Sequence, residues 1–346
     1  MLAPDKFKGC LTAAEVAAAV ADGLRAARPE VVTVARPVAD GGDGTVAAAV
    51  AAGYAERRVT VEGPTGMPVE APYALAGSRA VVELAAACGL DRLPDGRPDP
   101  LGASTYGLGQ VIGAALDDGA TSVVVGLGGS ASTDGGVGLV QALGARVLDA
   151  QGDEVGRGAG GLAAVDSLDL TGLRRRLAGV SVVVACDVDN PLLGPRGAAS
   201  VFGPQKGAGP AEVGRLEAGL ARWAEVVAAE TGRDASTVPG AGAAGGAGFA
   251  AVALLDAELR PGIDLILDLL DFDSAVRAAD LVVTGEGSLD EQSLAGKAPV
   301  GVARRTARSS DAPVVAVAGR SRLDQSRLAS AGIRVCYPLS DLEPDL

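Results

Sequence analysis

Short valine-rich runs alternate along this chain with longer stretches in which alanine and leucine recur at helical spacing. That alternation is the signature of parallel α/β architecture. Residues 122–126 (SVVVG), 181–185 (SVVVA), 281–284 (LVVT) and 313–318 (PVVAVA) are the clearest strands. Helical periodicity predicts helices over 13–27, 104–117, 137–143, 211–230 and 299–308, the first opened by a capping box of Thr12 with Glu15. Between 59 and 84 the pattern changes to RRVTVEG, VEAPYAL and RAVVEL, separated by Gly-Pro and Gly-Ser turns, which reads as β-hairpin structure.

The expected fold is therefore α/β in two domains. Residues 1–58 with 281–346 would form a discontinuous, doubly wound parallel-sheet domain of flavodoxin or Rossmann type. Residues 59–280 would form an inserted α/β domain carrying the β-hairpins, with an active-site cleft between the two. In open parallel sheets ligands bind where strands end, so the loops after those ends are the first places to look for chemistry.

Composition narrows that chemistry. The 346 residues contain no histidine, which removes histidine general bases, Ser-His-Asp and Cys-His catalysis, and histidine-containing metal sites. Among the 30 basic residues only Lys6, Lys8, Lys206 and Lys297 are lysines. A net charge of −13 disfavours nucleic acid and anionic membranes as partners. No apolar run reaches the roughly 20 residues of a spanning helix, and the start, MLAPDKFKG, lacks the features of a signal peptide. The four cysteines are widely spaced and read as reduced thiols, so a cytoplasmic location is expected.

The loops themselves are informative. GLGGSASTDGG (126–136) follows a strand and precedes a helix; the amides of Gly128, Gly129 and Ser130, with the hydroxyls of Ser130, Ser132 and Thr133, suit an anion. ADGGDGT (39–45) offers Asp40 and Asp43, and CDVDNP (186–191) offers Asp187, Asp189 and Asn190 beyond a strand. TGEGSLDEQS (284–293) presents Glu286, Asp290 and Glu291 on a glycine-flexible loop ahead of Lys297. Every lysine lies in a Gly- or Pro-punctuated loop, where a compact ammonium suits a phosphate or carboxylate. Anion-cradling loops, carboxylates suited to Mg²⁺ and isolated lysines together favour phosphoryl transfer, with an aspartate as proton acceptor. The rival reading is an NAD(P)-dependent 2-hydroxy acid dehydrogenase built on Gly126, Gly128, Ala131 and Asp149; the short helix after that loop and the lack of histidine or a Tyr-x-x-x-Lys pair count against it.

Six segments, APDKFKGCLTAAEVA, PVADGGDGT, VGLGGSASTDGGVGLVQALGA, ACDVDNPLLGPRGAASVFGPQKGA, PGAGAAGGAGF and TGEGSLDEQSLAGKAPVGVA, resemble in that order the signature segments of the bacterial type I glycerate kinases. The resemblance covers essentially the whole chain, although only Met1 and Leu2 precede APDKFKG and the family pattern runs on past LSDLEPD. It implies a kinase using ATP and Mg²⁺ that phosphorylates D-glycerate, in most of the family at the 2-hydroxyl; 3-phosphoglycerate is the alternative product. The family motifs leave individual roles open; from the residue chemistry, Asp189, Asp187 and Lys206 are expected to be catalytic. Asp5, Lys6, Lys8, Asp40 and Asp43 would bind glycerate, while Gly128, Gly129, Ser130, Ser132, Thr133, Glu286 and Lys297 would bind the nucleotide. Asp187, Asn190 and Asp290 would hold the metal.

Overall fold

The computed structural model describes residues 1–294 and 296–343. The chain forms β1 (Leu2–Pro4), then β2 (Ala55–Glu62), β3 (Pro68–Ala76), β4 (Arg79–Glu83), β5 (Ser122–Gly126), β6 (Arg146–Asp149), β7 (Val165–Asp169), β8 (Ser181–Ala185) and β9 (Glu258–Arg260). It closes with β10 (Val282–Leu289), β11 (Val314–Ser321) and β12 (Val335–Pro338). These elements divide into two compact units, one of Met1–Tyr54 with Pro261–Leu346 and one of Ala55–Arg260.

In the discontinuous unit the sheet order is β1-β10-β11-β12, all parallel. Residues 34–38 extend it beyond β1: the Val34 carbonyl accepts from the Leu2 amide at 2.8 Å, and the Val38 amide donates to the Pro4 carbonyl at 2.9 Å. Side chains alternate with the period of two that a strand imposes. Leu2 and Val283, with Val315 and Val317 packed against them, meet Ala17 and Ala21 of the helix Ala13–Ala27. Ala3, Val282, Val314 and Ala316 cluster on the opposite face with Ile263 and Ile266 of the helix Gly262–Leu269 and Val302 of the helix Ala298–Ser309. Helices thus cover both faces, which is the doubly wound arrangement. Thr12 and Glu15 form the capping box read from the sequence.

One element departs from its sequence reading. The strand expected to stop at Thr284 continues to Leu289, so Glu286 lies on a paired strand rather than a flexible loop. Gly285 permits this, because a Cβ there would lie 2.0 Å from the Val317 carbonyl oxygen and push β11 away.

The inserted unit has a six-stranded sheet of order β2-β3-β4-β5-β8-β9. β2, β3 and β4 are antiparallel, and β4, β5, β8 and β9 are parallel. Val123 and Val125 of β5 join a core with Leu108 and Ile112 of the helix Tyr106–Asp117, Trp223 of the helix Pro210–Thr231 and Phe249 of the helix Ala243–Leu254. β6 and β7 form a separate antiparallel pair. No helix among the described residues is long and apolar enough to cross a membrane.

Candidate functional site

In the inserted unit, β5 delivers the glycine-rich loop at its carboxyl end. Gly128 and Gly129 turn there, with Gly129 at φ +78°, and Ser130 bridges to Gly89. The helix does not start at that point. Leu90 donates to the Gly129 carbonyl, the Ala131 amide donates to Cys88, and two left-handed glycines, Gly135 and Gly136, precede the helix Val137–Ala142. The expectation that the Gly128 to Ser130 amides cap a helix is therefore corrected: cross-links to residues 88–90 hold those amides in a turn at the strand end.

What this loop does hold is an ammonium. Lys206, on the turn Pro204–Lys206, is 2% exposed. Its Nζ donates to Ser130 Oγ at 2.7 Å and to the Ser132 carbonyl at 2.5 Å. Burial pushes its pKa down to about 7, against the opposing pull of the Asp134 charge. The Ser132 and Thr133 side chains are fully buried, and their hydroxyls have no hydrogen-bond partner. Buried donors left unpaired cost about 1–3 kcal/mol each, so these two hydroxyls are an unusual expense of the loop.

Close backbone packing fixes this loop. Gly245 adopts φ +69°, and a Cβ there would lie 2.1 Å from the Ser132 carbonyl oxygen and 2.6 Å from Thr133 Cα. Its carbonyl accepts from the Gly135 amide at 3.0 Å. Gly245→Ala is expected to lower stability by at least about 1–3 kcal/mol, which denaturant unfolding measures.

The acids of CDVDNP follow β8. Asp189 is exposed, and both of its oxygens accept from Arg196 at 2.9 and 3.0 Å. Asn190 Nδ2 donates to the Arg196 carbonyl at 2.8 Å, which leaves its Oδ1 directed elsewhere. Asp187 is exposed. Asp149, the acid of the rival dinucleotide fingerprint, accepts from the Gln151 and Asp153 amides at 2.9 and 3.0 Å and so closes its own turn.

In the discontinuous unit, two strand ends and the middle of β10 bring carboxylates together. Asp5 follows β1, Asp40 follows the 34–38 segment, and Glu286 lies on β10. Asp5 is 7% exposed and Glu286 8%. Burial, reinforced by the Asp40 charge, pushes Asp5 up to about 7, with the Lys6 amide bond at 2.7 Å and the Lys6 charge opposing. Burial also raises Glu286, against the Ser293 hydroxyl bonded to it and the charge of Lys297. Lys6 Nζ donates to the Asp43 carboxylate at 2.7 Å and to the Asp43 carbonyl. Lys8 is exposed. Lys297 caps the helix Ala298–Ser309 through its backbone, and its Nζ reaches Gln292 Oε1 at 3.5 Å. Asp290 accepts from the Gln292 amide at 2.9 Å.

The sequence model of the Glycerate kinase family matches residues 1–346. The chain belongs to the glycerate kinase family. Relatives include a glycerate 2-kinase of Escherichia coli, 46% identical with 97% of this chain and 89% of that protein aligned, and a glycerate kinase of Bacillus subtilis, 45% identical over 98% and 89%. A crystal structure described as a candidate glycerate kinase 2 from Salmonella typhimurium superposes with a TM-score of 0.88 at 43% identity, covering 97% of this chain and 89% of that one.

Within this glycerate kinase fold, several contributors escaped the sequence reading. Asp134 is fully buried under the glycine-rich loop, Thr105 is bonded to it, and Ser293 holds Glu286. Asp134 looks in sequence like the first residue of a D-G-G turn. Thr105 and Ser293 carry no motif at all, because their partners are distant in the chain or lie on a strand that the sequence pattern ended too early.

Proposed function

We propose that this protein is an ATP-dependent glycerate kinase that phosphorylates the 2-hydroxyl of D-glycerate. The observation that carries the reading is the buried Lys206 ammonium beside two buried hydroxyls without partners, Ser132 and Thr133, on a loop at a strand end. Such a site suits phosphate oxygens, and the family relatives are named for glycerate phosphorylation.

On this reading the ATP phosphates take the hydroxyls of Ser130, Ser132 and Thr133, with the Lys206 amine, whose protonated form the phosphate charge would favour, as the local cation. Gly128 and Gly129 let the backbone approach. Lys6 and Lys8 hold the glycerate carboxylate, with Asp40 and Asp43 setting the position of Lys6. Asp5, in the same unit as Lys6 and Asp40, would accept the proton of the glycerate hydroxyl as the phosphoryl group passes to that oxygen from ATP, which leaves as ADP. A buried carboxyl whose pKa is about 7 is matched to that task. Asp189, the sequence-based choice, is exposed and tied to Arg196, so it fits the role less well. Glu286 and Lys297 order the same cluster of acids.

Among the described residues no group of three or more His, Cys, Asp or Glu side chains could hold a metal ion. Mg²⁺ fits differently, since it is commonly held by one or two carboxylates together with substrate phosphates. Asp187 and the Asn190 side-chain oxygen are donors of the right hard type; Asp290 is committed to its own turn. When bound, Mg²⁺ would offset charge on the transferring phosphoryl group.

The test couples the product of the purified protein, ATP and D-glycerate directly to enolase without a mutase. An enolase signal identifies 2-phosphoglycerate. Silence that phosphoglycerate mutase restores would make the product 3-phosphoglycerate, and absence of glycerate-dependent ADP would overturn the kinase reading.

A further inference from the structure

Beneath the glycine-rich loop lies a carboxylate that no step above uses. Asp134 is fully buried, and it accepts from the Thr105 amide at 2.8 Å and the Thr105 hydroxyl at 2.9 Å. Further donors are the Ser104 hydroxyl at 3.3 Å and the amides of Gly136 and Gly138 at 3.1 and 3.2 Å. Thr105 Oγ1 in turn accepts from the Leu139 amide at 2.9 Å. These bonds tie the start of the helix Val137–Ala142 to residues 104–105. They also fix the chain on the C-terminal side of Ser130, Ser132 and Thr133, and the left-handed Gly135 and Gly136 follow directly.

A buried carboxylate is an expensive way to hold a turn, because its charge must be desolvated. Five donor groups offset part of that cost, but an uncharged amide or hydroxyl would satisfy a turn without it. What a charge adds is a field at Lys206, whose other partners, the Ser130 hydroxyl and the Ser132 carbonyl, are neutral. Cys88, on the helix Leu84–Cys88, also faces Asp134, and burial with that charge holds its thiol up to about 12, so it adds no charge of its own.

We propose that Asp134 is the positioning residue of the phosphate loop, aligning the Ser132 and Thr133 hydroxyls and setting the electrostatic surroundings of Lys206. The inference rests on the nucleotide role of that loop proposed above. It assigns Asp134 no contact with substrate; it acts through the loop and through Lys206.

The first test is Asp134→Asn, which keeps size and removes charge. Its kcat/KM for ATP is expected to fall about tenfold or more, on the scale of a lost charged hydrogen bond, while KM for glycerate is retained. The alkaline limb of the pH profile, where Lys206 loses its proton, is expected to move to lower pH. A melting-temperature change with an unaltered limb and a proportionate loss for both substrates would reduce Asp134 to a structural brace and overturn the proposal. If Asp134→Asn does not fold, Thr105→Val and Thr105→Ser decide: a raised KM for ATP in the valine variant, restored in the serine variant, is the supporting result, and equal KM values in both sink it. Ser132→Ala in the native background separates the two readings. If it leaves ATP binding intact, the loop assignment itself fails; if it weakens ATP binding while Asp134→Asn does not, only the Asp134 proposal fails.

Discussion

Lys206→Met should cut kcat/KM for ATP by at least about a hundredfold, the scale for losing one preorganised donor to developing charge. The expectation follows from the enclosure of the ammonium: at 2% exposure it has no solvent to share its charge with, and its bonds to Ser130 and Ser132 leave little freedom of position. A surface lysine lost from the same chain would be screened and would matter far less. Stability gives an independent readout. The folded pKa of Lys206 is about 7, below its ordinary value of 10.5. Between those pH values the unfolded chain binds a proton that the folded chain does not. The burial penalty is therefore present in full below about pH 7 and is relieved as pH rises toward 10.5. Melting temperature followed over that window should show an increment in the native protein that Lys206→Met lacks. Near-native kcat/KM would remove Lys206 from the site, and matching stability profiles would mean that its amine is not buried as a charge.

The second large effect belongs to Asp5. Asp5→Asn is expected to lower kcat by about a hundredfold or more, as for a lost general base, with KM for glycerate changing little because asparagine preserves shape. Asp189→Asn, made in parallel, should stay within a few-fold of the native rate, as expected for an exposed ion pair worth about 0–1 kcal/mol. The reverse ranking would return the proton acceptor to the loop after β8. The native rate should fall with acid below about pH 7 as Asp5 takes up its proton, and that limb should be missing from the residual activity of the asparagine variant. The stability sign is opposite to that of Lys206. Asp5 is raised from 3.8 to about 7, so the folded chain binds the extra proton in that interval. Its contribution is present below about pH 4 and is lost as pH rises through 7. Thermal melts from pH 4 to 8 should show that decline in the native protein and not in Asp5→Asn.

Local rules made much of this fold legible. Strands β5 and β8 coincide with their valine runs, because a run buried on both faces needs no partner to be recognised. The helix Ala13–Ala27 starts at its capping box, a signal spanning four residues. The hairpins of β2 to β4 follow from turn residues between short alternating runs. The glycine loop and the four lysines stood out because composition made them rare or concentrated.

The assignment of roles was not legible in the same way. Lys6 and Lys206 look alike in sequence, each in a short loop between a proline and a glycine, PDKFKG and PQKG. Packing places one in an ion pair with Asp43 at the surface and the other against Ser130 in the core. Asp189 sits in an acid-rich turn and Asp134 in a glycine-rich one, yet one faces Arg196 in solvent and the other is sealed under the helix Val137–Ala142 with five donor groups. Glu286 was read as part of a loop because glycines flank it; the approach of β11 turned those glycines into strand residues. Sequence by itself determined the family and the alternation of strands and helices, since these depend on neighbours within a few residues. Tertiary structure alone decided which charges are desolvated. Desolvation depends on what distant segments bring against a side chain, and it is what moves Asp5 and Lys206 toward neutral pH.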